Sequence, residues 1–192
     1  LEDTAARRAP GAATRWWLAQ SLASLQADLA KNGAELVILR GDPDILLLRV
    51  AAEAGAARVV WNRRYEANAI ALDASLKARL SGQGLKVESY NASLLNEPWE
   101  VATQAGTPMK VFTPYWRAAR ARGEPAAPKP APERIVAGKL PASIAALAVE
   151  IGGLGLQPTK PDWAGGLRVE WTPGEAGARR RLTNFLGGAL AG

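Results

Sequence analysis

Short strand-like runs alternate with helical patterns through the first half of the chain, and this alternation limits the folds it can form. Three runs are β-branched or apolar and end in polar or turn-forming residues: Leu36–Arg40, Arg58–Asn62 and Lys86–Asn91. Strands separated by single helices form right-handed βαβ units, which build a parallel sheet with helices on its faces. The sequence therefore predicts an α/β fold with a parallel sheet.

The predicted helices lie around these strands. Those of the first half are at about Thr14–Lys31, Pro43–Ala54 and Tyr65–Leu80. The first has apolar residues at three- and four-residue steps and is followed by Gly33, a typical helix end. Further on, Pro114 opens a basic helix that extends to Arg122, because proline suits the first helical position. A last helix is predicted from about Ala176 to Leu190.

Polar residues follow each predicted strand, at the edge where ligands of parallel sheets bind. They are Gly41–Pro43, Asn62–Glu66 and Asn91–Ser93. Asp, Asn and Ser also cap helices and form turns, so a purely structural role is an equal alternative.

The absence of His and Cys restricts the chemistry of the chain. Zinc sites built on these residues, disulfides, thiolate nucleophiles and Ser-His-Asp or Cys-His catalysis are excluded within the 192 residues. Glu97 and Glu100 flank Trp99 in a Pro-containing loop, which gives no assurance that the two carboxylates face a common centre. We therefore assign no catalytic residue and no metal ligand.

The net charge of the chain is +6 and the pI is about 10.0. The basic residues are spread along the sequence, which predicts a solvated, partly paired surface but also suits an anionic partner such as DNA. No apolar run approaches the ~18–20 residues that span a bilayer. No export signal is visible, so the expected location is the cytoplasm.

A Pro-rich segment interrupts the chain at residues 123–132, with the sequence GEPAAPKPAP. This composition cannot hold regular hydrogen-bonded structure and is typical of an extended linker. A domain boundary is predicted here.

Several segments resemble, in order and spacing, those of the photolyase/cryptochrome family, and bacterial class I deoxyribodipyrimidine photolyases most of all. The match covers about Thr14 to Arg117 and resumes at Trp171. Its segments are TRWWLAQSL from Thr14, LRGDP from Leu39, WNRRYE from Trp61, EPW from Glu97, KVFTPYWR from Lys110 and WTPGE from Trp171.

The resemblance implies an incomplete, Rossmann-like antenna domain at residues 1–118, an interdomain linker at 119–170 and the first helix of an all-α, FAD-binding domain at 171–192. Family members begin with two further strands, and Leu1-Glu2 is similar to the end of the second. We therefore expect a fragment in which the run at 36–40 loses a neighbour. The FAD pocket would lie downstream.

The resemblance also implies a function for the parent protein, a monomer that repairs DNA containing cyclobutane pyrimidine dimers. In the family, an antenna chromophore passes light energy to reduced FAD, which donates an electron to the dimer. A damaged pair costs less to flip out of the duplex than a normal one.

One antenna position can be carried over from the family. Folate-binding members contact the pterin with an Asn-Glu pair, which corresponds here to Asn68 and Ala69. The expected antenna is methenyltetrahydrofolate or, because the carboxylate is lost, a deazaflavin or a flavin, and an empty site is a further alternative. Tyr65 and Glu66 belong to the same strand-end loop and are expected to line the cleft.

Three alternatives remain open at this point. The parent could be a cryptochrome-type blue-light photoreceptor, which shares the fold and does not repair DNA. The chain could also be a stand-alone nucleotide-binding α/β module similar to electron-transfer flavoprotein or universal stress domains, or a fragment without a function of its own.

Overall fold

The computed structural model describes residues 10–158 and 160–188 and combines helices with a small parallel sheet. In chain order the elements are α1 (Ala12–Lys31), α2 (Pro43–Glu53), β1 (Arg58–Asn62), α3 (Ala67–Gly82), β2 (Lys86–Tyr90), α4 (Phe112–Ala121), α5 (Ala142–Ala145), a 3₁₀ turn (Ile151–Leu154), α6 (Gly165–Glu170) and α7 (Glu175–Gly187). The described part of the chain holds no helix long and apolar enough to cross a membrane. The predicted α/β fold is confirmed.

The chain divides into two compact units. A central unit contains Gly55–Ala131, and a terminal unit contains the residues up to Ala54 together with those from Pro132 onward. The predicted bounds 1–118, 119–170 and 171–192 stay a prediction.

The central unit is a single βαβ element with a polar loop and α4 attached. Strands β1 and β2 pair in parallel, from Arg58 opposite Lys86 to Asn62 opposite Tyr90. Helix α3 connects them and buries one face. The buried residues of that face are Ala69, Asp73, Leu76 and Leu80. Their spacing of three and four residues is the helical period, so this face packs as the core of the unit.

The terminal unit is helical, with α1 as its longest element. Trp16 and Ala19 on α1 are buried, as are Ile144 of α5 and Ala164 before α6. Trp17 of α1 lies edge-on to Trp171, with ring centroids 5.6 Å apart. Aromatic contacts of this kind join α1 to the segment that leads into α7.

The predicted strand at Leu36–Arg40 is wrong as a strand. This run forms one antiparallel bridge, between Leu39 and Ala148, and the Val149 N–H donates to the Ile38 carbonyl at 2.8 Å. Within the described residues the parallel sheet contains β1 and β2 alone. A single bridge supplies too few ladder hydrogen bonds to define a strand.

Two of the three predicted strands and the predicted helices occur within a few residues of their expected bounds. Residues 123–132 contain neither helix nor strand and are exposed, which agrees with their Pro-rich composition. Leu1-Glu2, interpreted above as the end of a family strand, and the predicted end of the last helix at Leu190 lie outside the described residues.

Candidate functional site

A cleft of about 440 Å³ lies at the carboxyl ends of β1 and β2. The backbone N–H of Arg63 donates to the Tyr90 carbonyl at 2.8 Å, so the two strand segments stay paired for one residue beyond β1. The loops that follow the strands then separate and form the cleft. Its lining residues are Arg63, Arg64, Tyr65, Glu66 and Ser93. This is the edge of a parallel sheet at which ligands bind.

Glu97 connects the β1 loop to the segment that follows β2. The residue is 7% exposed, and its two carboxylate oxygens have different partners. Arg63 Nη1 lies 3.0 Å from Oε1, and the Tyr65 hydroxyl donates to Oε2 at 2.8 Å. A buried carboxylate is tolerated when it is paired and hydrogen-bonded in this way. Glu97 therefore fixes two cleft residues at once.

The loop around Glu97 is itself held in place by Glu100 and Arg122. The backbone N–H of Glu97 donates to Glu100 Oε2 at 2.6 Å. Arg122, just beyond α4, donates to the Glu100 carboxylate at 3.1 Å and to its carbonyl at 3.0 Å. Glu97 and Glu100 thus do not form an acid/base pair facing a common centre. They link the cleft to the end of α4.

A second buried carboxylate, Asp73, holds the neighbouring arginine. Asp73 lies on the buried face of α3 and is 7% exposed. Its Oδ1 accepts from Arg64 Nη2 at 2.6 Å, and its Oδ2 accepts from the Trp61 indole N–H at 3.1 Å. The consecutive arginines at the end of β1 are therefore each anchored by a different carboxylate.

Arg63 has further contacts that limit its movement. Its Nη2 donates to the Ser89 carbonyl at 2.7 Å, and its guanidinium carbon lies 5.4 Å from the centroid of the Trp99 ring. The buried Nε has no hydrogen-bond partner among the described residues. A buried donor left unpaired costs free energy, which suits a site that a ligand or water completes.

The structure places two of the three predicted site residues in the cleft lining and the third outside it. Tyr65 and Glu66 lie in the cleft lining, whereas Asn68 is exposed on the first turn of α3 and is not a lining residue. The sequence analysis included Arg63 only within the strand-end run Asn62–Glu66 and considered Glu97 only as half of an acid/base pair, and it missed Asp73 altogether. The adjacent arginines after a strand were the available signal, since both need partners.

Two of the strand-end polar residues have the structural role given above as an alternative. Asp42 Oδ1 accepts from the Asp44 N–H at 2.9 Å and caps α2. Asn91 Oδ1 accepts from the backbone N–H groups of Ser93 and Leu94, at 3.1 and 3.0 Å. Both are turn or capping residues.

The pKa of Tyr65 is raised above its ordinary value of 10.0 by partial burial and by the hydrogen bond to the Glu97 carboxylate. Ionised Tyr65 would place a second negative charge beside Glu97. The contribution of the protonated hydroxyl to stability is therefore fully present below pH 10.0 and is lost as the pH rises through the raised pKa.

Asp73→Ala is expected to lower the free energy of unfolding by about 1–3 kcal/mol, because it leaves a half-buried indole N–H and an arginine without their acceptor. Urea denaturation followed by tryptophan fluorescence measures this change.

Glu88→Ala is the matched control in the same unit. Glu88 accepts from Tyr90 and pairs with Lys86, but at the surface, where such contacts contribute about 0–1 kcal/mol. Equal losses for the two variants would show that the Asp73 contacts do not stabilise the cleft.

Comparisons with known proteins agree with this architecture. The family model for DNA photolyase matches residues 1–133. A deoxyribodipyrimidine photo-lyase of Agrobacterium fabrum is 43% identical over 183 residues, which are 95% of this chain and 37% of that protein. Cryptochrome-2 of Arabidopsis thaliana is 34% identical over 179 residues, 92% of this chain and 29% of that protein.

The solved structure of a bacterial class III photolyase from Agrobacterium tumefaciens superimposes with a TM-score of 0.86 and 42% identity. The match covers 94% of this chain and 36% of that one. The chain thus spans 37% or less of the length of these three relatives. The expected family is confirmed, and the class I assignment within it stays a prediction. The chain belongs to the DNA photolyase family and is an N-terminal domain of the photolyase/cryptochrome type.

Proposed function

We propose that the chain is part of a photolyase that repairs cyclobutane pyrimidine dimers in DNA, and that this part holds the light-harvesting antenna. The observation that carries the proposal is the superposition on a photolyase at 42% identity over 94% of the chain. The TM-score of 0.86 shows that the backbone is shared. The parent is proposed to be a cytoplasmic monomer.

In this proposal the reaction itself occurs outside these residues. Reduced FAD, bound by the remainder of the parent protein, would supply the electron that splits the dimer, so the reaction chemistry belongs to the cofactor. The residues described here would contribute an antenna site and a linker. We keep the proposed division at residues 1–118, 119–170 and 171–192.

The strand-end cleft fits a small chromophore. Its volume of about 440 Å³ lies within the ~300–1,000 Å³ typical of small-molecule sites. Arg64, Tyr65, Glu66 and Ser93 offer both donors and acceptors. When bound, the antenna would absorb light and pass the energy to FAD.

Ala69, which follows Asn68, favours a flavin-type antenna over a folate. Ala69 stands where folate-binding members have a pterin-contacting Glu, and it is 2% exposed. An alanine at a buried position offers no side-chain hydrogen bond to a pterin. Asn68 stays the proposed contact if methenyltetrahydrofolate is bound.

The test is light-dependent repair by the complete protein that contains these residues. The purified protein is expected to bind FAD and to split thymine dimers in an oligonucleotide under blue light and not in the dark. The 192-residue chain is the control and is expected not to repair the dimers, because the proposed FAD pocket lies in the remainder of the parent protein. Stoichiometric FAD and light-dependent repair by that chain alone would contradict the assignment of the FAD pocket to the remainder.

A cryptochrome is the second candidate, favoured by the 34% identity to Arabidopsis Cryptochrome-2 over 92% of the chain. The same assay separates the two functions. A complete protein that binds FAD and responds to light, yet leaves the dimers intact, would overturn the repair proposal and support a photoreceptor.

A further inference from the structure

The Tyr65 hydroxyl has one proton and two neighbouring acceptors. Glu97 Oε2 lies at 2.8 Å and Asn91 Oδ1 at 3.4 Å. The Asn91 oxygen already accepts two backbone N–H groups of its own turn. The shorter contact is also the one to a carboxylate, the stronger type of hydrogen bond. The proton of Tyr65 therefore points to Glu97.

Glu97 can only accept a hydrogen bond from Tyr65, and it cannot donate one. Its other carboxylate oxygen lies 3.0 Å from Arg63 Nη1, and the residue is 7% exposed. An ionised carboxylate has no donor. Arg63 is fixed in turn by the Ser89 carbonyl and the Trp99 ring.

We propose that Glu97 is a positioning residue that makes the Tyr65 oxygen a hydrogen-bond acceptor in the cleft. Because the only hydroxyl proton of Tyr65 is donated to Glu97, the oxygen can interact with a ligand only through its lone pairs, as an acceptor. The cleft then prefers a ring whose edge carries an N–H donor, such as the cyclic imide of a flavin or deazaflavin. This inference rests on the proposed antenna function and names the chemistry by which the cleft would recognise its ligand.

The first test is a titration of tyrosinate absorbance in the full 192-residue chain. Burial and the Glu97 hydrogen bond raise the pKa of Tyr65, so Glu97→Gln is expected to lower that pKa while burial keeps it somewhat raised. The matched control is Glu88→Gln. Tyr90 donates to Glu88 at 2.9 Å outside the cleft, so this change is expected to lower the pKa of Tyr90 alone. A Tyr65 pKa unaffected by Glu97→Gln would overturn the proposal.

The second test compares the binding of riboflavin and 3-methylriboflavin, which lacks the imide N–H, to the same chain. Riboflavin is expected to bind about fivefold more tightly, the effect of one hydrogen bond. Tyr65→Phe removes only the oxygen and keeps the pair of Glu97 with Arg63. In that variant the hydrogen bond to the imide N–H is lost, so the ratio of the two affinities is expected to fall to about one. A steric effect of the methyl group would persist instead, because the size of that group is unchanged.

The outcomes separate this inference from the function on which it rests. A preference for riboflavin that persists in Tyr65→Phe would overturn the acceptor role and leave the antenna function standing. If neither flavin binds the unsubstituted chain, the proposal of a flavin antenna is overturned, and with it the ligand proposed for the cleft. The binding comparison with Tyr65→Phe still tests the proposal if Glu97→Gln fails to fold.

Discussion

Replacing Leu80 with alanine is expected to lower the free energy of unfolding by about 2–5 kcal/mol. Leu80 has 0% exposure, and its side chain lies on the buried face of α3 with Leu76 and Ala69. Truncation removes apolar area from the core and leaves a cavity, and α3 has little freedom to close it because both of its ends lead into paired strands. The loss is a large fraction of the ~5–15 kcal/mol by which domains are stable.

Ile70→Ala on the same helix is the matched control. Ile70 is 52% exposed, so its loss is expected to change stability by no more than about 0.5 kcal/mol. Urea denaturation measures both variants. Similar midpoints for Leu80→Ala and Ile70→Ala would mean that α3 does not bury the face assigned to it.

Gly177→Ala is expected to destabilise the terminal unit by about 3 kcal/mol, the upper end of the usual cost of overpacking. A Cβ at Gly177 would overlap the carbonyl oxygen of Thr172 and lie 2.9 Å from its carbonyl carbon. Backbone atoms cannot rotate away as a flexible side chain can. The turn before α7 must therefore shift, which disturbs the neighbouring contact between Trp17 and Trp171.

Gly187→Ala, in the last turn of the same helix, provides the control. A Cβ there meets no atom within 4 Å. Alanine loses less conformational entropy than glycine, so this change is expected to be neutral or to stabilise the chain by up to about 1 kcal/mol. Thermal unfolding followed by circular dichroism compares the two. Equal effects would contradict the close approach of Gly177 to Thr172.

The βαβ element was predictable because its signals are local. The β-branched run at Arg58–Asn62, the helical period of α3 and the run at Lys86–Tyr90 each fall within one short window. The run at Leu36–Arg40 has the same local signal, yet its one partner is Ala148. Whether such a run becomes a strand depends on distant residues, which periodicity does not reveal.

The candidate site was predictable in position and not in composition. Tyr65 and Glu66 follow a strand, and ligands bind at that edge of a parallel sheet. The role of Glu97 depends on the fold of the segment after β2, which brings its carboxylate to Arg63 and Tyr65. The burial of Asp73 has a similar origin, because one polar residue on an apolar helix face gives no sign of its partners.

The reading frame on both sides of the 192 codons tests most directly whether this chain is part of a photolyase. We expect an upstream strand with a Trp-Phe-Arg-Arg type motif and a downstream helical, FAD-binding domain, both in frame. Stop codons directly bounding these residues would contradict it, and light-driven repair would then have to be withdrawn as the function.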